Sequence, residues 1–509
     1  MDRVLVANRG EIAVRIIRTL REMGITSVAI FSDADRDAPH VRLADHAYCV
    51  GEAPVAHSYL NAERILSIAQ QAGAQGLHPG YGFLSENAEF AEACAAQGLI
   101  FIGPSATAIR SMGSKTKARE MMQACGVPII PGGNANNLAE AKLTAQRLGY
   151  PVLIKASAGG GGKGMRLVSS EAELAASLER AASEAQRAFG DGTIYLEKAL
   201  QRARHVEIQV LADQHGNAVH LFERDCSIQR RHQKVIEETP CPGVSASIVE
   251  QMGEISVNAV RQLGYYSAGT FEFMADANGN FYFLEMNTRL QVEHPITEWC
   301  TGLDLVREMI RVARGERLGF SQSDVSRRGV ALECRIYAED PTRNFLPSPG
   351  PVRELRVPSG PGVRDDSGIV EGYQVTPHYD PLLSKLSVWA PMRELAIQRM
   401  ERALSEYRLV GLRNNLAFHR RVMQHPEFRA GDYDTHFIER HAKDLLQGDS
   451  LSERESRDLA AAMAVVHAHR SEQTGAIANT QTGDATAEST ALSPWTLSLR
   501  DRSDRSTRD

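Results

Sequence analysis

Glu272 and Glu285 stand on either side of an Asn278-Gly279 pair, inside a run of aromatic and polar residues from Phe271 to Glu285. Asn-Gly between such runs predicts a tight β-hairpin. A two-residue loop pairs Ala277 with Asn280 and, counting back along both strands, sets Glu272 opposite Glu285. Cβ atoms of a facing pair lie about 4.5–5.5 Å apart, where like charges repel. A shared divalent cation removes the conflict, because hard cations take carboxylate oxygens and bridge to nucleotide phosphates. Asn287 falls on the same face and adds a neutral oxygen. Phe271, Phe273 and Phe283 are expected to point the other way, into a core. The bland alternative is a solvated sheet face laced with salt bridges.

The same parity continues through Arg289, Gln291 and Glu293, alternating with Thr288, Leu290 and Val292. If the chain stays extended, one surface carries metal ligands, then a guanidinium, an amide and a further carboxylate. A guanidinium fork suits a planar anion, and a carboxylate just beyond it suits a general base acting on that anion. A second feature is Lys155-Ala156-Ser157-Ala158-Gly159-Gly160-Gly161-Gly162-Lys163-Gly164-Met165, which follows an apolar strand and precedes strand-like Arg166-Leu167-Val168. Glycines without Cβ atoms let backbone N–H groups approach phosphate oxygens. The run lacks the GxxxxGK[ST] spacing, so it reads as a hairpin flap rather than a P-loop.

The elements that must position these residues have a clear rhythm. Strand Val4–Ala7, a helix carrying Ile12, Ile16, Ile17, Leu20 and Met23, and strand 27–31 form a βαβ unit, hence a parallel sheet. Helix 62–71, strand 76–78, helix 88–97 and strand 99–102 repeat it. After Arg204 the texture changes to antiparallel strands, and from Gly329 a third block rich in Pro and Gly begins. A helix over 452–469 and disorder over 473–509 are expected from composition. With 509 residues, 43% of them hydrophobic, three or four domains are expected. The net charge of −6 provides no basic field for nucleic acid, and no apolar run reaches the roughly 18 residues of a membrane span. Seven cysteines without a CxxC pair argue for a reducing cytoplasm and against structural zinc.

Several long motifs resemble those of biotin carboxylases in the ATP-grasp superfamily. The strongest is Glu285-Met286-Asn287-Thr288-Arg289-Leu290-Gln291-Val292-Glu293-His294-Pro295. Asn8-Arg9-Gly10-Glu11-Ile12-Ala13, the stretch His78–Glu86, Arg204–Gln209, Arg224–Lys234 and Glu333-Cys334-Arg335 accompany it in the family's order. The resemblance implies an α/β and α+β chain of three domains: a Rossmann-like preATP-grasp domain over 1–112, an ATP-grasp domain over 113–328 with a glycine-rich lid at about 131–203, and a C-terminal domain over 329–447. A tail over 448–509 follows.

By the same resemblance, ATP would be bound by Lys115, Lys155, Gly160, Gly161, Gly162, Met165, Glu197, Lys198, Leu200, His205, Gln229 and His232. Glu272, Glu285 and Asn287 would hold Mg²⁺ or Mn²⁺. Lys234, Arg289, Gln291 and the Val292 backbone would hold bicarbonate. Glu293 would remove its proton to form carboxyphosphate, Arg335 would stabilise the biotin enolate, and Tyr81 would lie near the biotin ring. The partners implied are a biotin carboxyl carrier protein, a carboxyltransferase and a second copy of the chain. The Gly159–Lys163 variant is similar to that of propionyl- and methylcrotonyl-type α-subunits. Those continue into a domain with Ala-Met-Lys-Met, which does not occur here, so biotin is expected on a separate carrier. Another ATP-grasp ligase and a non-catalytic nucleotide-binding subunit are the competing readings; Arg335 with Gln291–Pro295 counts against the first, and the full set of reactive side chains against the second.

Overall fold

The computed structural model describes residues 1–135, 137–156, 166–189 and 192–447, together with Ala461, Met463 and Ala464. Gly160, Gly161, Gly162 and Met165 of the glycine run, and the helix expected over 452–469, lie outside the described residues apart from those three.

The N-terminal rhythm produces the expected parallel sheet. Strands β1 (Arg3–Val6), β2 (Thr26–Ser32), β3 (His46–Gly51), β4 (Gly76–His78) and β5 (Ile100–Phe101) lie in the order β3-β2-β1-β4-β5. Helix Gly10–Glu22 crosses between β1 and β2 and buries Ile12, Ile16, Ile17 and Leu20. Gly24, at φ +66°, then reverses the chain in a conformation that costs glycine little. A second, antiparallel sheet of β6 (Gly132–Asn134), β7 (Val152–Ala156), β8 (Arg166–Val168) and β9 (Ile194–Lys198) has the order β6-β9-β7-β8.

The largest sheet does not respect the expected boundary at 328. It contains β10 (Arg204–Ala212), β11 (Ala218–Arg230), β12 (Gln233–Thr239), β13 (Ser267–Ala275) and β14 (Phe281–Asn287). Then it runs on into β15 (Val330–Tyr337), β16 (Val363–Ser367) and β17 (Leu382–Ala390), in the order β14-β13-β10-β11-β12-β15-β17-β16. The joint is the antiparallel pairing of β12 with β15, and residues 1–447 form one compact unit.

The central hairpin corrects one expectation. Glu272 does face Glu285, but the loop is not two residues long. Ala275 pairs with Phe281 and the Asp276 N–H donates to Asn280, which leaves a three-residue turn with Gly279 at φ +85°. Phe273 pairs with Phe283 and Glu272 with Glu285, so Leu284 is a bulge that restores the register. The bulge also settles a conflict of parity. Strict alternation would put Phe283 on the face of Glu285, whereas here Phe283 is 1% exposed in a cluster with Phe271, Phe273 and Met286. Phe283→Ala should lower the stability of this region by about 3–5 kcal/mol through the cavity it leaves. Thermal unfolding monitored by near-UV circular dichroism checks it, and an unchanged transition would contradict the core assignment.

Candidate active site

Across one face of the large sheet runs a row of carboxylates. Register pairs Glu285 with Glu272, Glu272 with Glu207, and Glu207 with Arg224, through β14, β13, β10 and β11. Such a row is tolerable only with cations among it. Arg224, fully buried, binds Glu207 through Nε, Gln209 through Nη1 at 2.7 Å and Gln291 through Nη2 at 2.9 Å. Lys234, from β12, places Nζ 2.5 Å from Glu207 Oε2, 2.7 Å from Glu272 Oε1 and 2.7 Å from Glu293 Oε1. Burial works against the Lys234 ammonium, yet these three carboxylates hold its pKa well above the usual lysine value.

Strand β14 ends at Asn287, so the continuous extended surface expected through Glu293 is not formed. The residues converge by another route. Leu290 is buried in the core of the N-terminal sheet, and this anchor sends its two neighbours back to the carboxylates. Gln291 Nε2 donates to Glu272 Oε1 at 2.7 Å. Arg289 donates from Nε to Glu86 Oε2 and from Nη2 to Asn287 Oδ1, each at 2.9 Å. Glu293 stands at the N-terminus of helix His294–Thr301, where it also accepts from Arg335 Nη2 at 2.7 Å. Burial alone would raise the pKa of Glu293; Lys234, Arg335 and Arg224 hold it well below the carboxylate range.

Arg335 reaches this point because β15 pairs with β12. Its Nε donates to Glu237 Oε1 at 2.6 Å, and Glu237 faces Glu333 across the strand pair. Burial pushes the Glu237 carboxyl up to about 7 and that of Glu333 also upward. Tyr81 donates its hydroxyl to Glu11. The Val292 carbonyl accepts from Lys385 Nζ at 3.0 Å.

The residues expected to bind nucleotide fall into separate groups. His205 Nε2 lies 2.8 Å from Glu272 Oε2, and Gln229 Nε2 lies 2.8 Å from His205 Nδ1. Glu197 on β9 is bound by Lys155 of β7 and by Arg119 of helix Lys115–Ala124, while Lys198 Nζ donates to the Gly149 carbonyl at 2.8 Å. Leu200 is half-buried in the loop after β9. His232 is exposed at φ +65° in the turn between β11 and β12. Lys115 opens helix Lys115–Ala124; its side chain is outside the description.

Glu272, Glu285 and Asn287 fit a hard cation. Two facing carboxylates and an amide oxygen would supply an all-oxygen donor set. Asn287 Nδ2 donates to Glu272 Oε1 at 2.9 Å, and its Oδ1 keeps a second lone pair beyond the one Arg289 uses. His205, Glu207 and Glu272 also bring ligand atoms within 4.8 Å of one another, but with a nitrogen among them.

Three family models match the chain in sequence order: "Biotin carboxylase, N-terminal domain" over 1–109, "Carbamoyl-phosphate synthase L chain, ATP binding domain" over 114–321, and "Biotin carboxylase C-terminal domain" over 333–440. The biotin carboxylase of Nostoc sp. is 52% identical over 440 residues, which cover 86% of this chain and 98% of the relative. The chain belongs to the biotin carboxylase family. This is a family of ATP-dependent carboxylase ligases. The α-subunit of mouse mitochondrial methylcrotonoyl-CoA carboxylase is 50% identical over 459 residues, 90% of this chain; the match spans 64% of that subunit. Among solved structures, the biotin carboxylase domain dimer of Hydrogenobacter thermophilus 2-oxoglutarate carboxylase, in complex with MgADP, ADP and bicarbonate, aligns with a TM-score of 0.82 at 48% identity. It covers 88% of this chain and 99% of the other. Biotin carboxylase of Campylobacter jejuni aligns with a TM-score of 0.81 at 46% identity, covering 86% and 99%.

For a member of the biotin carboxylase family, the sequence left Glu207, Arg224, Glu237, Glu11 and Lys385 without roles. Glu207 and Arg224 had a signal: both sit in apolar strands, where a charge demands a partner. Lys385, about a hundred residues from the hairpin, had none.

Proposed function

We propose that the chain catalyses ATP-dependent carboxylation of biotin by bicarbonate, the first half-reaction of an acyl-CoA carboxylase. Biotin would arrive on a carrier protein and leave for a carboxyltransferase, with acetyl-, propionyl- or methylcrotonyl-CoA as the final acceptor and the subunit acting as a homodimer. The carrying observation is Glu293, held between Lys234 and Arg335 beside Arg289 and Gln291, next to the paired Glu272 and Glu285. A cytoplasmic place is supported by seven free thiols. Among the described residues no helix is long and apolar enough to cross a membrane.

In this reading Lys155 and its neighbours hold the nucleotide, while bicarbonate sits among Lys234, Arg289, Gln291 and the Val292 backbone. Magnesium at Glu272, Glu285 and Asn287 would neutralise charge on the phosphates. When Lys234 turns from Glu293 to the anion, Glu293 loses a cation and gains a negative neighbour. Its proton affinity rises, and it takes the bicarbonate proton. The freed oxygen attacks the γ-phosphorus, giving carboxyphosphate and ADP. Carboxyphosphate separates into CO₂ and phosphate, the phosphate takes the biotin N–H proton, and Arg335 stabilises the charge left on the ureido oxygen, near Tyr81. The ureido nitrogen then attacks the CO₂ carbon to give carboxybiotin.

Arg335→Ala tests the division of labour. Biotin carboxylation should fall by about 100-fold, the scale of one lost donor to a developing anion. Bicarbonate-dependent ADP release without biotin should fall much less. Equal losses in both assays would remove the biotin-specific role.

A further inference from the structure

Lys385 is fully buried at the meeting point of three segments far apart in sequence. On β17 it lies between Arg335 of β15 and Asp366 of β16 in the sheet register. Its ammonium donates to the Val292 carbonyl at 3.0 Å, lies 3.1 Å from Glu11 Oε2 and 3.9 Å from Asp366 Oδ2, and stands 6.0 Å from the centre of the Tyr81 ring. Asp366 is engaged by Arg364 at 2.7 Å, which leaves Glu11 as the nearer counter-charge for Lys385.

Glu11 is placed with equal care. It sits in the first turn of helix Gly10–Glu22, where Gly368 of the C-terminal segment comes so close that a Cβ there would meet the Glu11 nitrogen at 2.6 Å. The other Glu11 oxygen accepts the Tyr81 hydroxyl, and the Tyr81 carbonyl is held by Asn8 Nδ2 at 2.8 Å. A chain of contacts therefore runs from Tyr81 through Glu11 and Lys385 to the peptide between Val292 and Glu293.

We propose that Lys385, fixed by Glu11, is a positioning residue that orients the Val292–Glu293 peptide for bicarbonate. The proposal rests on the bicarbonate reading above. A peptide unit is planar, so each residue has only two soft dihedrals. Clamping the carbonyl of Val292 sets the plane from which the Glu293 side chain departs and limits the rotation of the Val292 N–H on its other side. The N-cap residue of helix His294–Thr301, Glu293, makes no side-chain cap hydrogen bond to that helix, so the Val292–Glu293 peptide relies on contacts from outside it.

The test compares Glu11→Gln, Lys385→Met and the double variant, which removes both charges together and leaves no buried ion without its partner. Steady-state assays of bicarbonate-dependent ADP release are run with each substrate varied. Loss of one charge-assisted hydrogen bond should raise the KM for bicarbonate by about 10-fold in Lys385→Met and the double variant. Glu11→Gln should show a smaller rise of the same sign, and the KM for ATP should stay within about twofold. A bicarbonate KM that does not move, or that rises in step with the KM for ATP and a falling Tm, overturns the proposal. If Lys385→Met fails to fold, Glu11→Gln decides alone by the same criterion. Wild-type ADP release that ignores bicarbonate would overturn the underlying reading and this proposal with it, whereas bicarbonate-dependent release with a flat KM across the variants overturns the positioning alone.

Discussion

Glu293→Gln is expected to lower bicarbonate-dependent ADP release by about 10²–10⁴-fold while leaving ATP binding unchanged, the range for removal of a general base. The amide keeps the volume and can still accept from Lys234 or Arg335, so the fold should survive. What it loses is the ability to take a proton. The pH profile adds a second check. Because Lys234, Arg335 and Arg224 hold its pKa well below the carboxylate range, Glu293 is ionised in the free protein at every pH near neutrality. In the wild type, kcat/KM for bicarbonate should therefore show no acidic limb from this group between about pH 5.5 and 8. The same sign governs stability: the contribution of Glu293 is present above the ordinary carboxylate pKa and is lost only as pH falls through its depressed folded value. Turnover unchanged by Glu293→Gln, measured in parallel with nucleotide affinity by calorimetry, would end the base assignment.

Lys234→Met is expected to be the most damaging single change in both activity and stability. It retains most of the apolar stem but leaves Glu207, Glu272 and Glu293 without the ammonium they share. Removing one partner of a buried pair costs about 3–5 kcal/mol, because the remaining charge stays buried. Activity should fall by more than about 10³-fold, since an anion-binding cation and the neutralisation of Glu272 disappear together. In the variant the three carboxylates raise one another's proton affinity, so its deficit should shrink on acidification. Thermal unfolding at pH 8 and pH 5.5 provides the measurement. An equal loss of Tm at both would show that Lys234 does not balance this cluster.

The facing carboxylate pair was legible because a hairpin turn is a local signal, although the register was right for the wrong reason. A three-residue turn and the Leu284 bulge offset each other, and only their sum preserved Glu272 opposite Glu285. Periodicity could not show the bulge; the parity of Phe283 against Glu285 hinted at it. Arg289, Gln291 and Glu293 were found by alternation, yet they converge through a loop pinned by Leu290 rather than along a strand. The parallel sheet was readable from its βαβ rhythm. The pairing of β12 with β15, which brings Arg335 to Glu293, was not, because hydrogen bonds between distant strands leave no spacing in the chain. Glu207 as the middle of a carboxylate row and Lys385 beneath the Val292 carbonyl were hidden for the same reason.

That joint between β12 and β15 bears on how freely such a protein can be recombined. Ile236, Glu237, Glu238 and Thr239 are matched one to one with Cys334, Glu333, Leu332 and Ala331. A chimaera exchanging everything after residue 328 with a relative would have to reproduce those four partners, including the buried Glu237–Glu333 contact. A cut at the same place would bare the edge of β12, a template for indiscriminate strand addition. What resembles a module boundary in the linear order is, in three dimensions, a continuous sheet whose two halves must change together.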